Sequence, residues 1–313
     1  LEALTPRIAT MLDLSEEETE VARRAAALSK ADLATNMVVE MTSLQGIMGG
    51  HYARLAGEPE PVAAAIAEQY ETKSATRPGL ALALADRLDS LVGLFAVGLA
   101  PTGSNDPFAL RRAAIQAVEN LIANAQPFDL REGIAAAAAL LPVNAEEGDE
   151  AAVLAFMTGR LEALLRDQGL PATVVRAVLA EKAHDPYAAA RAAERLATVV
   201  EAAGWETILD AYARSVRITR DLEETLSLRP DALQETAARD LYAAYEQATA
   251  AQDGTVESLV SSLRQIEPAI TRFFDEVLVM DEDPAVRENR LALLQAVASL
   301  ADGVADLSQL EGF

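Results

Sequence analysis

The side chains best suited to contact a ligand are arginines gathered towards the C-terminal end of the sequence. In LDAYARSVRITR, Arg214, Arg217 and Arg220 recur every third residue, which places them on roughly one helical face with the Tyr212 ring at its edge. In DEDPAVRENRLALL, Arg287 and Arg290 stand one turn apart with Asn289 between them, while Leu291 and Leu294 face inwards. Arg264 and Arg272 lie near the intervening helices. Guanidinium groups bind phosphate or stack on bases, and a side-chain amide can read a base edge, so the set suits exposed RNA. The competing role is structural, with the same arginines paired to acidic neighbours on their own helices.

A second candidate is PTGSNDPFALRR, residues 101–112, where turn-forming residues run into Arg111 and Arg112. Asp106-Pro107, Asp185-Pro186 and Asp283-Pro284 each precede an apolar-periodic run. Asp accepts bonds from the first free amides of a helix, and Pro at the first helical position loses no useful donor. SNDP is therefore expected to start a helix and to do no chemistry of its own. Arg111 and Arg112 keep two roles, an anion contact beside a helix N-terminus or packing and ion pairing.

Catalytic material is sparse. Two histidines, His51 and His184, and no cysteine leave too little for a hydrolytic metal site or thiol chemistry. His184-Asp185 is an HD dipeptide, but Asp185 is better placed as a helix cap. Asp86 and Asp89, one turn apart, could be paired carboxylates for acid–base work, although carboxylates on an exposed helix face are simply solvated. No P-loop, dinucleotide fingerprint or nucleophile elbow occurs, so a catalytic site confined to this chain is not expected.

The elements that must position these groups are helices. Among 313 residues, 51% are apolar but only 4% aromatic, and alanine dominates, a composition that favours helix almost everywhere. The length suits one large or two ordinary domains. With 26 basic and 49 acidic residues the net charge is −23, which argues against a general nucleic-acid binder but leaves room for one basic stripe on an acidic body. No apolar run approaches the roughly 20 residues of a membrane span. No signal-peptide pattern is visible, so a cytoplasmic location is expected, with neither DNA nor membrane as partner. The first residue, Leu1, is not methionine, as expected of a piece of a longer protein.

Periodicity predicts an all-α fold. Ser15 and Glu18 form a capping box. Leu33, Met37, Met41, Leu44 and Met48 are spaced for one helical face ended by Gly49-Gly50, with the methionines expected in the core and a partner-binding face as the alternative. Pro61 opens a helix through Tyr70, and residues 71–79 read as a loop. Leu84, Leu88, Leu91 and Phe95 form the next stripe, with Asp86 and Asp89 off it. Leu110, Ala114, Val118 and Leu121 continue a helical face, and Asp129 caps the helix that follows. Residues 142–150 are the most linker-like stretch. Further helices are predicted at 151–168, 171–182, 186–203, 205–220, 230–252, 255–266, 268–280 and 284–301.

Three strings carry a resemblance: LSKADLATNMVVEMTSLQGIMGGHYA (28–53), LALADRLDSLVGLFAVGLAPTGSNDPFALRR (82–112) and FFDEVLVMDEDPAVRENRLALL (273–294). They resemble the C-terminal half of the β subunit of bacterial heterotetrameric glycyl-tRNA synthetase, in order and over nearly the whole chain. The resemblance implies two helical modules. Residues 1–125 would form a degenerate HD-type domain, the metal-phosphohydrolase fold without its ligands. Residues 126–184 would be a helical linker region, and 185–313 a helical-bundle anticodon-binding domain similar to that of arginyl-tRNA synthetase. Lys30-Ala31-Asp32 stands where an HD pair would be expected, leaving Asp32 and Asp86 as remnants of a metal site that binds no metal.

The same resemblance implies a tRNA-recognition segment of glycine–tRNA ligase. It would bind tRNA(Gly), including the anticodon region, so that the α subunit can attach glycine using ATP and Mg. The segment itself would bind no cofactor and would not be catalytic alone. Arg214, Arg217, Arg220, Arg272, Arg287, Asn289 and Arg290 are the implied tRNA contacts, with Arg111 and Arg112 secondary. The alternatives are an active HD-type metal phosphohydrolase and a non-catalytic helical scaffold for protein partners.

Overall fold

Alanine and leucine, both strong helix formers, fill the elements from end to end. The computed structural model describes residues 1–143 and 147–313 and is all-α. In chain order the helices are α1 Leu4–Met11, α2 Glu16–Leu28, α3 Asn36–Glu40, α4 Ile47–Leu55, α5 Glu60–Ala67, α6 Arg77–Ala96, α7 Leu110–Ala123 and α8 Leu130–Ala138. There follow α9 Glu147–Asp167, α10 Ala172–Lys182, α11 Pro186–Val200, α12 Trp205–Thr219, α13 Thr236–Ala250, α14 Val256–Glu276 and α15 Pro284–Ala298. No helix among the described residues is long and apolar enough to cross a membrane.

The chain divides into two compact units, Leu1–Leu164 with His184–Ala188, and Leu165–Ala183 with Ala189–Phe313. This differs from the expected division at 125 and 184. Residues 126–138 are core rather than linker, because Phe128, Leu130, Ile134 and Ala137 are buried and α8 packs on α6 and α1. Within the expected linker-like stretch 142–150, residues 144–146 lie outside the described residues.

In the first unit α6 is the central helix. Every residue from Pro78 to Leu88 is buried, and α1, α2, α5, α7 and α8 pack around it, as expected for a helix with apolar surface on all sides. The local starts follow sequence rules. Ser15 and Glu18 close a reciprocal capping box on α2, Asp129 caps α8, and the Thr76 hydroxyl caps α6 by accepting from Gly79 N at 3.1 Å.

Two starts use Asp-Pro as expected. Asp185 Oδ1 accepts from Ala188 N at 3.0 Å, and Asp283 Oδ1 accepts from Ala285 N at 2.9 Å, with Pro186 and Pro284 as first helical residues. Asp106 departs from the pattern. Here α7 begins only at Leu110, after Ala109 in a left-handed conformation (φ 54), and Asp106 reaches forward to accept from Leu110 N at 2.8 Å and Arg111 N at 3.0 Å.

Two predicted elements are corrected. The stretch with Leu33, Met37, Met41, Leu44 and Met48 is not one helix. It breaks into a 3₁₀ turn at Ala31–Ala34, α3, a second 3₁₀ turn at Thr42–Leu44 and α4, with Gly49-Gly50 inside α4. Leu33, Met37 and Met41 are therefore exposed rather than in the core. Conversely, Pro268 does not split residues 255–280. The buried stripe Val256, Leu259, Val260, Leu263, Ile266, Ile270 and Phe273 runs through it as one helix, so packing outweighs the roughly 3 kcal/mol that an interior proline costs.

Candidate nucleic-acid interface

The apolar face of α12 buries Trp205, Ile208, Leu209 and Tyr212, leaving its arginines towards the outside. Tyr212 is no stacking ring: it is buried, its hydroxyl donates to Ala298 O at 2.5 Å, and burial pushes its pKa upward. The Arg214 guanidinium lies 4.3 Å from the Phe274 ring centroid, and Arg217 lies 5.5 Å from that of Phe313. Arg217 is 42% exposed and 3.7 Å from Asp210 Oδ1, while Arg220 is 66% exposed and 3.7 Å from Asp221 Oδ1. Such long, solvated pairs contribute little and can be exchanged for a phosphate. Three-residue steps fall about 60° short of a full turn, so the three arginines fan out rather than share one line.

The α15 residues are spent differently. Asn289, 3% exposed, accepts from Arg229 N at 2.7 Å and donates to Arg229 O at 3.0 Å, so its amide clamps the backbone of one residue from both sides. Arg290, 6% exposed, donates to Leu278 O at 2.7 Å, to Asp281 Oδ2 at 2.7 Å and to Glu235. The Asp283 amide first, and then Arg290, hold the Asp281 carboxyl below its ordinary pKa. Arg287 is half-buried and donates to Asp281 O at 3.0 Å. Asn289 and Arg290 therefore do not face RNA as expected: both side chains are buried, with the Asn289 amide and both terminal nitrogens of Arg290 already bonded.

Arg272 is half-exposed but doubly paired, to Asp240 at 2.6 Å and Glu276 at 2.8 Å. Arg111 donates to Gly103 O at 2.6 Å and so fastens its own loop. Because the Asp106 carboxylate already occupies the α7 amides, that N-terminus is not an open phosphate site. Arg112 is exposed, and its guanidinium has no ion pair among the described residues.

The Asp86 carboxylate is committed through both oxygens and that of Asp32 through Oδ2 alone. Asp32, 1% exposed, accepts through Oδ2 from Gly46 N at 2.7 Å and Gly49 N at 3.1 Å. Gly46 is required there: its φ is +78, and a Cβ would come within 2.9 Å of the Tyr70 ring. Asp86 is buried rather than solvated, with Lys30 Nζ 2.5 Å from Oδ1 and Arg87 Nη1 3.1 Å from Oδ2. Asp89 is exposed, so no carboxylate pair forms. Burial pulls the Lys30 pKa down, but Asp86 and the Tyr70 hydroxyl more than offset it, and the net shift is upward. Lys30 also donates to Tyr70 Oη at 3.0 Å, and Arg87 reaches Gln116 Oε1 at 3.0 Å. An ammonium thus sits against the carboxylate. Among the described residues no three His, Cys, Asp or Glu side chains converge to hold a metal.

Sequence reasoning missed Gln295 and Tyr245. Gln295 accepts from Leu226 N at 2.9 Å and donates to Glu224 O at 3.0 Å, repeating about one and two-thirds turns later what Asn289 does at Arg229. The available signal was a polar amide within the otherwise apolar run LALLQAVA. Tyr245 has no comparable signal: it lines a cleft only because α13 packs beside it.

The family model described as "Glycyl-tRNA synthetase beta subunit" matches residues 1–180, and that described as "DALR anticodon binding domain" matches residues 208–307. The glycine–tRNA ligase beta subunit of Desulforudis audaxviator is 42% identical over 99% of this chain and 47% of its own length. That of Myxococcus xanthus is 40% identical over 94% of the chain and 45% of its own length. The Arabidopsis thaliana protein named glycine–tRNA ligase, chloroplastic/mitochondrial 2, is 36% identical over 100% of the chain and 30% of its own length. The chain thus spans less than half the length of these relatives. It belongs to the glycyl-tRNA synthetase beta subunit family.

Proposed function

We propose that the chain is the tRNA-recognition segment of a glycine–tRNA ligase β subunit. It binds tRNA(Gly), including its anticodon region, so that the α subunit can attach glycine using ATP and Mg in the cytoplasm. The segment itself holds no cofactor and is not catalytic alone. The match of residues 208–307 to an anticodon-binding domain carries this reading. The loosely paired Arg217 and Arg220 on α12 are the side chains best placed to take phosphates, with Arg214 beside them and Arg112 as a separate contact in the first unit. A metal phosphohydrolase is not favoured, because Lys30 and Arg87 already neutralise Asp86.

The test is salt-titrated binding of tRNA(Gly) against an unrelated tRNA, with and without the α subunit. Preference for tRNA(Gly), with affinity falling as salt rises, is expected; equal binding of both tRNAs in the presence of the α subunit would sink the reading. One observation supports an added scaffold role. Leu33, Met37, Val39, Met41 and Ile47 are exposed within one short stretch, as at protein contacts. If Met37→Ser with Met41→Ser leaves α-subunit association unchanged, that face is not the α contact.

A further inference from the structure

The second unit holds a cleft of about 530 Å³ between the starts of α10 and α12, the end of α11 and the tail at 310–312. Pro171, Val174, Val200, Leu209 and Leu310 give it apolar walls. Trp205 lines it although only 4% exposed, and its indole N–H has no hydrogen-bond partner among the described residues. Glu206, Asp210 and Glu311 line it as well, and all three are exposed. Glu206 and Glu311 have no basic partner among the described residues, and Asp210 meets Arg217 at 3.7 Å. The cleft thus has an unused donor inside and carboxylates at its mouth.

These walls define what fits. A nearly buried donor without an acceptor is costly, so the indole calls for a carbonyl oxygen. The carboxylates call for cations, and the apolar walls call for an aliphatic side chain. A phosphate backbone brings the wrong charge, whereas a chain of net charge −23 attracts basic partners. A free polyamine supplies the cations but no acceptor for the indole. A peptide supplies all three groups. In an extended segment successive side chains point to opposite sides, so an apolar residue between two basic ones turns its side chain inwards and the cations outwards.

We propose that this cleft docks an extended basic segment of a protein partner, in which an apolar residue stands between two lysines or arginines. A backbone carbonyl of the segment accepts from Trp205 Nε1, and the apolar side chain packs on Val174, Leu209 and Leu310. The basic side chains pair with Glu206 and Asp210 on α12 and with Glu311 on the tail. The inference stands apart from the RNA-binding role and does not depend on it.

Trp205 is the sole tryptophan of the chain, so its emission reports on the cleft directly. The experiment titrates the full 313-residue chain with the acetylated and amidated peptide Gly-Arg-Leu-Lys-Gly and follows that emission at fixed salt. A saturable shift is expected. Glu206→Gln with Glu311→Gln should weaken binding about 10-fold, through the loss of two exposed ion pairs. Glu16→Gln with Glu17→Gln, which removes two exposed carboxylates of α2, should leave the affinity unchanged. Spermidine, which carries more charge but no acceptor, should bind about 5-fold more weakly than the peptide. An emission that does not move overturns the proposal. Equal weakening in the two double variants also overturns it, because the peptide then answers only to the acidic body. Spermidine binding as tightly as the peptide would make the cleft a small-amine site and overturn the peptide assignment.

Discussion

Helix α12 leaves Arg217 and Arg220 in solvent, each only 3.7 Å from a single exposed carboxylate, whereas α15 draws Asn289 and Arg290 almost wholly out of water. The residue types and spacing are similar, so the cause lies in what each helix meets. α12 packs on α14 and α15 along their helical faces, and Tyr212 gives its hydroxyl to Ala298 O at the end of α15. α15 also borders irregular backbone around 224–229 and 278–281, where peptide groups need outside partners. Asn289, Gln295 and Arg290 supply them. A polar side chain next to unpaired backbone becomes structural; one next to finished helices stays available for a ligand.

Arg290→Ala should break this arrangement most severely. It removes the partner of two carboxylates and of Leu278 O at a nearly buried position, costing about 3 kcal/mol in urea unfolding. Arg217→Ala should change stability by less than about 0.5 kcal/mol. Equal costs for the two would erase the contrast between the helices. Asn289→Ala should cost about 1–2 kcal/mol and speed hydrogen exchange at the Arg229 amide, which loses its 2.7 Å acceptor. Unchanged exchange there would mean that the clamp does not hold in solution.

The smallest effect is electrostatic. The Asp281 carboxyl is lowered from 3.8, so its contribution to stability is present above that value and is lost as pH falls through the lowered one. An NMR titration should find Asp281 below 3.8. In Arg290→Ala the value should rise only part of the way back, because the Asp283 amide supplies the larger share.

Much of this was legible in the sequence wherever the cause is local. The capping box at Ser15 and Glu18, Asp129, and the Asp-Pro starts at 185 and 283 are decided within four residues of the helix end. Elements decided by distant packing were misread. Pro268 is carried inside α14 by a stripe that is buried on both sides of it. The Met37 and Met41 spacing resembles a helical face, but the stretch bends at Gly46 so that Asp32 can gather the Gly46 and Gly49 amides. The candidate site divides in the same way. Exposed arginines on an amphipathic helix follow from periodicity, whereas the burial of Asn289 depends on a peptide 60 residues away in sequence.

The most direct test of the account is the salt dependence of tRNA(Gly) binding by the complete synthetase in two altered forms, Arg217→Ala with Arg220→Ala, and Arg287→Ala. Loss of two phosphate contacts on α12 should weaken binding and make the plot of log K against log salt shallower by roughly 1.5. Arg287→Ala, which removes only a bond to Asp281 O, should leave that slope unchanged. An unchanged slope in the α12 double variant together with a shallower one in Arg287→Ala would place the RNA on α15 and contradict the account.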